Sequence, residues 1–380
     1  MRTIESELNL TAQEREDALA RWMLLGKPET VLFLDIETTG FSRLYDSVYL
    51  VGMVCYEKGC FVAKQFLAGG LSEEAELLQR ALAEIRRFPI CVTYNGEMFD
   101  LPFLEERAKR LRVWSTEDAQ FAAQRHSVDL LRLYRRHQAF FGWSNMKLKT
   151  VERFLGASRE DPFDGGQLIE VFYEYARTED ERLAMVLLLH NYEDVCNLPH
   201  LLLVQQFMQM LKNGRIEQIT YEQGRLQIAW DRPFVLSHCA EIALNAKKKK
   251  DASYPRARFS FEAGSAVCEI DLPSCEEPVY YYLPNAKDYY FIPAQGEIVH
   301  KTLAYDVPAG ERRKAKPAEC VLRGQGSFVQ ALPAPAGLRT YRKAYKGAEV
   351  YVEMTELQEW LKTAEPEAAQ AWGRQFFELL

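Results

Sequence analysis

The stretch VLFLDIETTG, residues 31–40, constrains the fold more than any other part of the chain. An apolar run ends in two acids, Asp35 and Glu37. On a strand, side chains two positions apart share a face, so both carboxylates leave a buried strand on the same side. Repulsion and desolvation oppose that pairing unless a cation lies between them. For the two acids taken alone, a water-facing strand end is the plain alternative.

The flanking sequence reads as alternating strands and helices. Strands are expected at TVLFLDIE, VYLVGMVCYE and CFVAKQFLA, with Lys58–Gly59 as a hairpin turn between the last two. Helical periodicity follows over 72–87, a short apolar strand over 90–95, and a further helix over 99–111. HSVDLLRLYRR, 126–136, reads as a strand end followed by a helix, and helices fill 148–205, ending in a long one over 179–211. This order predicts an α/β domain with a mixed sheet and helices on both faces. After residue 213 the pattern becomes strand-like alternation punctuated by Pro and Gly, which predicts a β-rich domain with a C-terminal helix near 355–379. The expected organisation is an N-terminal helical extension over 1–29, the α/β domain over 30–212 and the β-rich domain over 213–380.

Charge narrows the partners. The net charge is −7, and the acidic excess lies in the first half of the chain. Such a chain is not a generic nucleic-acid coat; binding of nucleic acid should be local and salt-sensitive. The N-terminus is too charged for a secretory signal, no apolar run reaches a membrane-spanning length, and the eight cysteines form no C-x-x-C pair. A reducing, cytoplasmic setting is therefore expected. AKKKK, 246–250, is the one charge run and reads as a solvated loop.

Two further motifs carry acids. YNGEMFDLPFL, 94–104, places Asp100 just inside a helix that follows a strand; HNYEDVCNL, 190–198, places Asp194 on the long helix with His190 one turn before it. Four carboxylates on separate elements suit a pair of hard divalent cations, which prefer oxygen ligands. Two such ions roughly 4 Å apart support in-line phosphodiester hydrolysis. A nearby imidazole has a proton affinity suited to a general base.

D-I-E-T-T-G, N-G-x-x-F-D-x-P-F-L and the third-motif Asp, in that order, resemble the DEDD (DnaQ-like) 3′→5′ exonucleases. LKTVERFLG (148–156) and H-N-x-x-D-V (190–195) narrow the resemblance to the YprB-type ribonuclease H-like domain, over residues 30–205. The resemblance implies a ribonuclease H-like mixed five-stranded sheet. It implies Asp35, Glu37, Asp100 and Asp194 as metal ligands for two Mg²⁺ or Mn²⁺ ions, and a nucleic-acid 3′ end, DNA or RNA, as substrate. The family places its base either as Tyr four residues before the last Asp or as His five before it. Here His stands four before, so His190 is favoured as the base and Tyr192 stays open. Thr38, Thr39 and Gly40 are expected to receive the terminal nucleotide, Phe41 to stack on a base, and Asn95 to hold the second-motif loop or touch the backbone.

The bland roles weighed beside these are a dipole-favoured helix start for Asp100, an Arg partner for Asp194 and a core position for His190. Asp129 is read as outer-sphere or capping, and Lys147 and Lys149 as phosphate contacts or idle surface lysines. In the second domain, Tyr281, Tyr289, Arg256 and Arg312 could form a single-strand stacking surface or plain packed β structure. A structure-selective endonuclease and a non-catalytic nucleic-acid-binding protein are the alternative functions.

Overall fold

The computed structural model describes all residues except 158, 164, 232–239, 244–255, 263–264, 273, 332–333 and 378–380. AKKKK therefore lies outside the described residues. The chain forms two compact units, which divide between residues 208 and 209.

The first unit is built on a six-stranded sheet. Its strands are β1 (Arg2–Glu7), β2 (Val31–Thr38), β3 (Val48–Glu57), β4 (Cys60–Leu67), β5 (Ile90–Thr93) and β6 (His126–Asp129). The order is β1-β4-β3-β2-β5-β6; the first four strands pair antiparallel, and β2-β5-β6 pair parallel. Lys58 and Gly59 both take positive φ (51° and 84°) in the β3–β4 turn, the pair of conformations that a two-residue type I′ hairpin requires.

The five expected strands form as β2 to β6, and a sixth, β1, joins them at the edge. Residues 2–7 are a strand, not part of a helical extension, and they pair with β4 from Arg2 opposite Leu67 to Glu7 opposite Val62. Their charges suit an edge, where unpaired backbone must be kept from other chains. The N-terminal helix is α1 (Ala12–Trp22), which starts at a Thr11–Glu14 capping box.

The remaining helices of this unit are α2 (Glu74–Ile85), α3 (Asp100–Arg110), α4 (Thr116–Gln124), α5 (Leu130–Tyr134), α6 (Leu148–Phe154), α7 (Gly165–Thr178) and α8 (Glu181–Asn197). One continuous helix over 179–211 does not form. Pro199 cannot continue the hydrogen-bond ladder, so the chain passes through a tight turn, Leu198–Leu201, before α9 (Leu202–Asn213), which crosses the unit boundary.

Helices cover both faces of the sheet. Leu32, Leu34 and Ile36 of β2 pack with Leu77, Leu78, Ala81, Leu101 and Leu104 of α2 and α3. The opposite face of β3 receives α7 and α8, where Tyr49 stacks on Phe172 with ring centroids 4.2 Å apart. Asp35 and Glu37 alternate with Leu34 and Ile36, so they emerge on the α8 side.

The second unit contains a five-stranded antiparallel sheet in the order β7 (Ile216–Glu222), β8 (Arg225–Asp231), β11 (Ser265–Asp271), β10 (Arg256–Glu262) and β9 (Ala240–Ala243). Leu226, Ile228 and Trp230 of β8 are buried, while Arg225 and Gln227, which flank Leu226, face water. Short strand pairs and triplets follow over 274–353. The single C-terminal helix expected near 355–379 is instead two, α10 (Met354–Thr363) and α11 (Pro366–Gln375). Pro366 disfavours helical backbone at Glu365, which is extended (ψ 139°), and then occupies the first turn of α11.

Tyr281 and Arg312, two of the candidate stacking residues here, have partners in their own unit. The Arg339 guanidinium lies 5.0 Å from the Tyr281 ring, and that of Arg312 lies 4.8 Å from the Tyr290 ring. The Arg256 side chain lies outside the described residues.

Candidate metal centre

Three elements bring the acids together. β2 carries Asp35 and Glu37, α3 opens with Asp100, and α8 carries His190 and Asp194. Ligand atoms of Glu37, His190 and Asp194 lie within 4.8 Å of one another. Asp100 is tied to the strand, because its Oδ1 accepts the Ile36 N–H at 3.1 Å. Asp35 is tied to α8, because its Oδ2 accepts from the Asn191 amide at 3.0 Å.

Asn191 explains how α8 approaches so closely. It is fully buried, and its Oδ1 accepts from Gln65 on β4 at 2.9 Å. Gly52, paired with Asp35 across the sheet, lies directly beneath it. A Cβ at Gly52 would stand 2.1 Å from Asn191 Oδ1. Glycine here lets the helix sit on the strand and aim Asn191 at Asp35.

Like charge crowds the site. Glu37 and Asp100 are buried, and Asp35 and Asp194 are partly open to solvent. Burial, then Asp194, Asp100 and Glu37, push the Asp35 carboxyl well above its ordinary range, with Asn191 opposing. Burial, then Asp194, Asp100 and Asp161, do the same to Glu37, with Lys149 opposing. Burial lifts Asp100 to about 7 against hydrogen bonds from its own and the Ile36 N–H. Elsewhere in this unit, the buried Glu74 and the half-buried Glu57 and Glu84 have cations. Glu74 accepts from Arg107 at 2.8 and 2.6 Å, and Lys64 bridges Glu57 and Glu84. The oxygen-rich donor set and its uncompensated charge fit divalent cations.

The remaining site residues are placed as follows. Thr38 donates its hydroxyl to the Gly40 carbonyl at 2.7 Å, and Thr39 exchanges two hydrogen bonds with Ser47. These residues form a fixed turn beyond the acids. Phe41 projects from it, 89% exposed, with its ring centroid 6.2 Å from that of Phe99. Asn95 takes a left-handed backbone conformation (φ 70°) in the turn before α3 and donates its N–H to Asp129 Oδ1 at 3.0 Å. Asp129 also accepts from the N–H groups of Glu97 and Arg132, so it organises that turn as well as capping α5. Tyr192 neighbours Cys196; burial and that thiol push its phenol up to about 12. Lys149 is engaged by Asp161 at 3.2 Å and by the Phe163 carbonyl.

Two residues unforeseen in the sequence contact the third motif. Arg159 pairs with Asp194 Oδ1 and, at 2.6 and 2.7 Å, with the buried Glu152. The Arg partner weighed for Asp194 is thus present, while Oδ2 faces His190 at 3.6 Å. Asp161 Oδ2 lies 2.6 Å from His190 Nδ1. Both residues come from a polar stretch, REDPF (159–163), whose sequence has no periodicity to flag them. Asn191 and Glu152, by contrast, sit inside stretches that carried the resemblance.

The RNase H superfamily model matches residues 32–204. Over those residues the fold is ribonuclease H-like. No curated protein matches the chain. Among solved structures, a family B DNA polymerase from the archaeon Pyrobaculum calidifontis is similar at 21% identity and a TM-score of 0.35, over 48% of this chain and 25% of the polymerase. A protein described as the apo form of a nuclease is 16% identical with a TM-score of 0.25, over 53% of this chain and 91% of its own. A zinc-bound exonuclease I–single-stranded DNA complex from E. coli is 13% identical with a TM-score of 0.27, over 78% of this chain and 64% of its own. The ribonuclease H-like domain spans only part of the polymerase. Among the described residues, no helix is long and apolar enough to cross a membrane.

Proposed function

We propose that this domain is a metal-dependent 3′→5′ exonuclease acting on the 3′ end of single-stranded DNA or RNA. Asp35, Glu37, Asp100 and Asp194 hold two divalent ions, Mg²⁺ or Mn²⁺, and His190 completes the cluster. The observation that carries the reading is the buried acid group on β2 and α3. Burial and mutual repulsion raise Asp35, Glu37 and Asp100 together, and among the described residues no Lys or Arg pairs with any of the three; the His190 imidazole stands 3.4 Å from Glu37.

Bound ions would supply an activated water and charge stabilisation at the leaving oxygen. The chain supplies the rest. Asn191 orients Asp35, and the Ile36 N–H orients Asp100. The Thr38–Gly40 turn offers a rigid wall for a terminal sugar and base, with the exposed Phe41 ring as a stacking face and Asn95 in the turn leading to Asp100.

The test uses 3′- and 5′-labelled single- and double-stranded DNA and RNA with Mg²⁺, Mn²⁺ or EDTA, beside Asp35→Ala. The expected result is stepwise shortening from the 3′ end that stops in EDTA and in the variant. Metal-independent cleavage, or no cleavage of any substrate, would overturn the reading; internal cuts would make the protein an endonuclease.

A further inference from the structure

We propose that His190 binds metal through Nε2, in one coordination sphere with Glu37 and Asp194. Asp161 is the positioning residue that fixes its ring, and this position of the site prefers a transition-metal ion to Mg²⁺. The inference rests on the reading of the acids as a metal centre and changes the part first assigned to His190, from proton acceptor to ligand.

The ring is clamped from behind. His190 is 4% exposed, and its Nδ1 lies 2.6 Å from Asp161 Oδ2. Asp161 is itself fixed. It accepts the Phe163 N–H at 3.1 Å and the Lys149 ammonium at 3.2 Å, and its own N–H and that of Glu160 donate to Glu193 at 3.1 and 2.7 Å. A carboxylate in that setting only accepts, so Nδ1 carries the hydrogen, and the neutral ring that a metal ion requires then presents its lone pair at Nε2. A carboxylate behind a histidine is the usual support for a metal-bound imidazole.

The front of the ring faces two ligand oxygens. Nε2 stands 3.4 Å from Glu37 Oε1 and 3.6 Å from Asp194 Oδ2. Charge-assisted hydrogen bonds are shorter, about 2.7–2.9 Å. Atoms sharing one ion at bond lengths of about 2.1 Å stand roughly 3–3.5 Å apart, whichever common geometry the ion adopts. A base reaching its substrate through water would need a wider gap, since two hydrogen bonds in series span roughly 5 Å. Arg159 holds Oδ1 of Asp194, which leaves Oδ2 as the oxygen that can join His190. An imidazole ligand favours first-row transition metals over Mg²⁺, which keeps to oxygen.

The probe is Mn²⁺ bound to the full chain. Electron spin-echo modulation should show a directly bonded imidazole nitrogen, and His190→Ala should abolish that signal. By titration calorimetry, His190→Ala should weaken Mn²⁺ binding at least about tenfold and leave Mg²⁺ binding within about twofold. Asp161→Asn, which keeps the shape, should weaken Mn²⁺ binding about 10–100-fold and shows the coupling even if the alanine variant does not fold. Bound Mn²⁺ without nitrogen modulation, or a signal that survives His190→Ala, overturns the ligand assignment and spares the acid centre. Folded protein that binds neither ion at millimolar concentration overturns both.

Discussion

The two largest sheets among the described residues treat charge in opposite ways. In the second unit, β8 alternates buried Leu226, Ile228 and Trp230 with exposed Arg225 and Gln227, so its polar groups have water. In the first unit, β2 to β4 are covered on both faces, and nearly every position is buried. A charge in a strand covered on both sides must have a partner or a purpose. Lys64 has partners, Glu57 and Glu84. Among the described residues, Asp35 and Glu37 have no Lys or Arg partner and face Asp100 and the third-motif groups instead, which is why they point to a function and Gln227 does not.

Four changes can break or sharpen that contrast. Asp100→Asn should reduce nuclease activity on the order of 10³-fold, since a lost metal ligand removes several kcal/mol of transition-state stabilisation. The same change should raise the melting temperature of the ion-free protein, because it deletes a buried charge without a cation and keeps the acceptor for the Ile36 N–H. Equal loss of activity and stability would mean that Asp100 is structural. Arg107→Ala should do the reverse. It strands Glu74, 2% exposed, without its cation and should cost about 3–5 kcal/mol in denaturant unfolding.

A smaller effect follows from pH. The ordinary Asp value is about 3.9, and burial raises Asp100 to about 7 in the folded chain. The folded state therefore binds this proton more tightly than the unfolded state. Its contribution is fully present below about pH 4 and is lost as the pH rises through about 7. In EDTA the melting temperature should fall between pH 5 and 8, and millimolar Mn²⁺ at pH 8 should restore it. A flat profile in EDTA would mean that the acids are already compensated. The smallest effect belongs to the other sheet. Gln227→Ala removes an exposed hydrogen bond to Glu269 and should change stability by no more than about 0.5 kcal/mol.

Much of the first unit was legible because its signals are local. Apolar runs, the Lys58–Gly59 turn and the helix starts follow from residues close in sequence, and strands β2 to β5 lie where the periodicity places them. Arg2–Glu7 was misjudged because a short charged stretch becomes an edge strand only when β4 offers its backbone, a partner about 60 residues away. Apolar periodicity runs on either side of Pro199 and Pro366, and each proline divides that pattern into two helices. In the second unit, alternation indicates strands without indicating their order.

The sequence by itself determined which residues carry charge into a sheet and that four acids occur in three ordered motifs. That information sits in residue type and spacing, and backbone geometry alone turns it into shared faces. Only the tertiary structure decided which atoms meet. Gly52 lets α8 descend until Asn191 reaches Asp35, and the loop after α6 delivers Arg159 to Asp194 and Asp161 to His190. Those contacts join residues 29 to 156 positions apart in the chain, and packing, not local preference, brings such residues together.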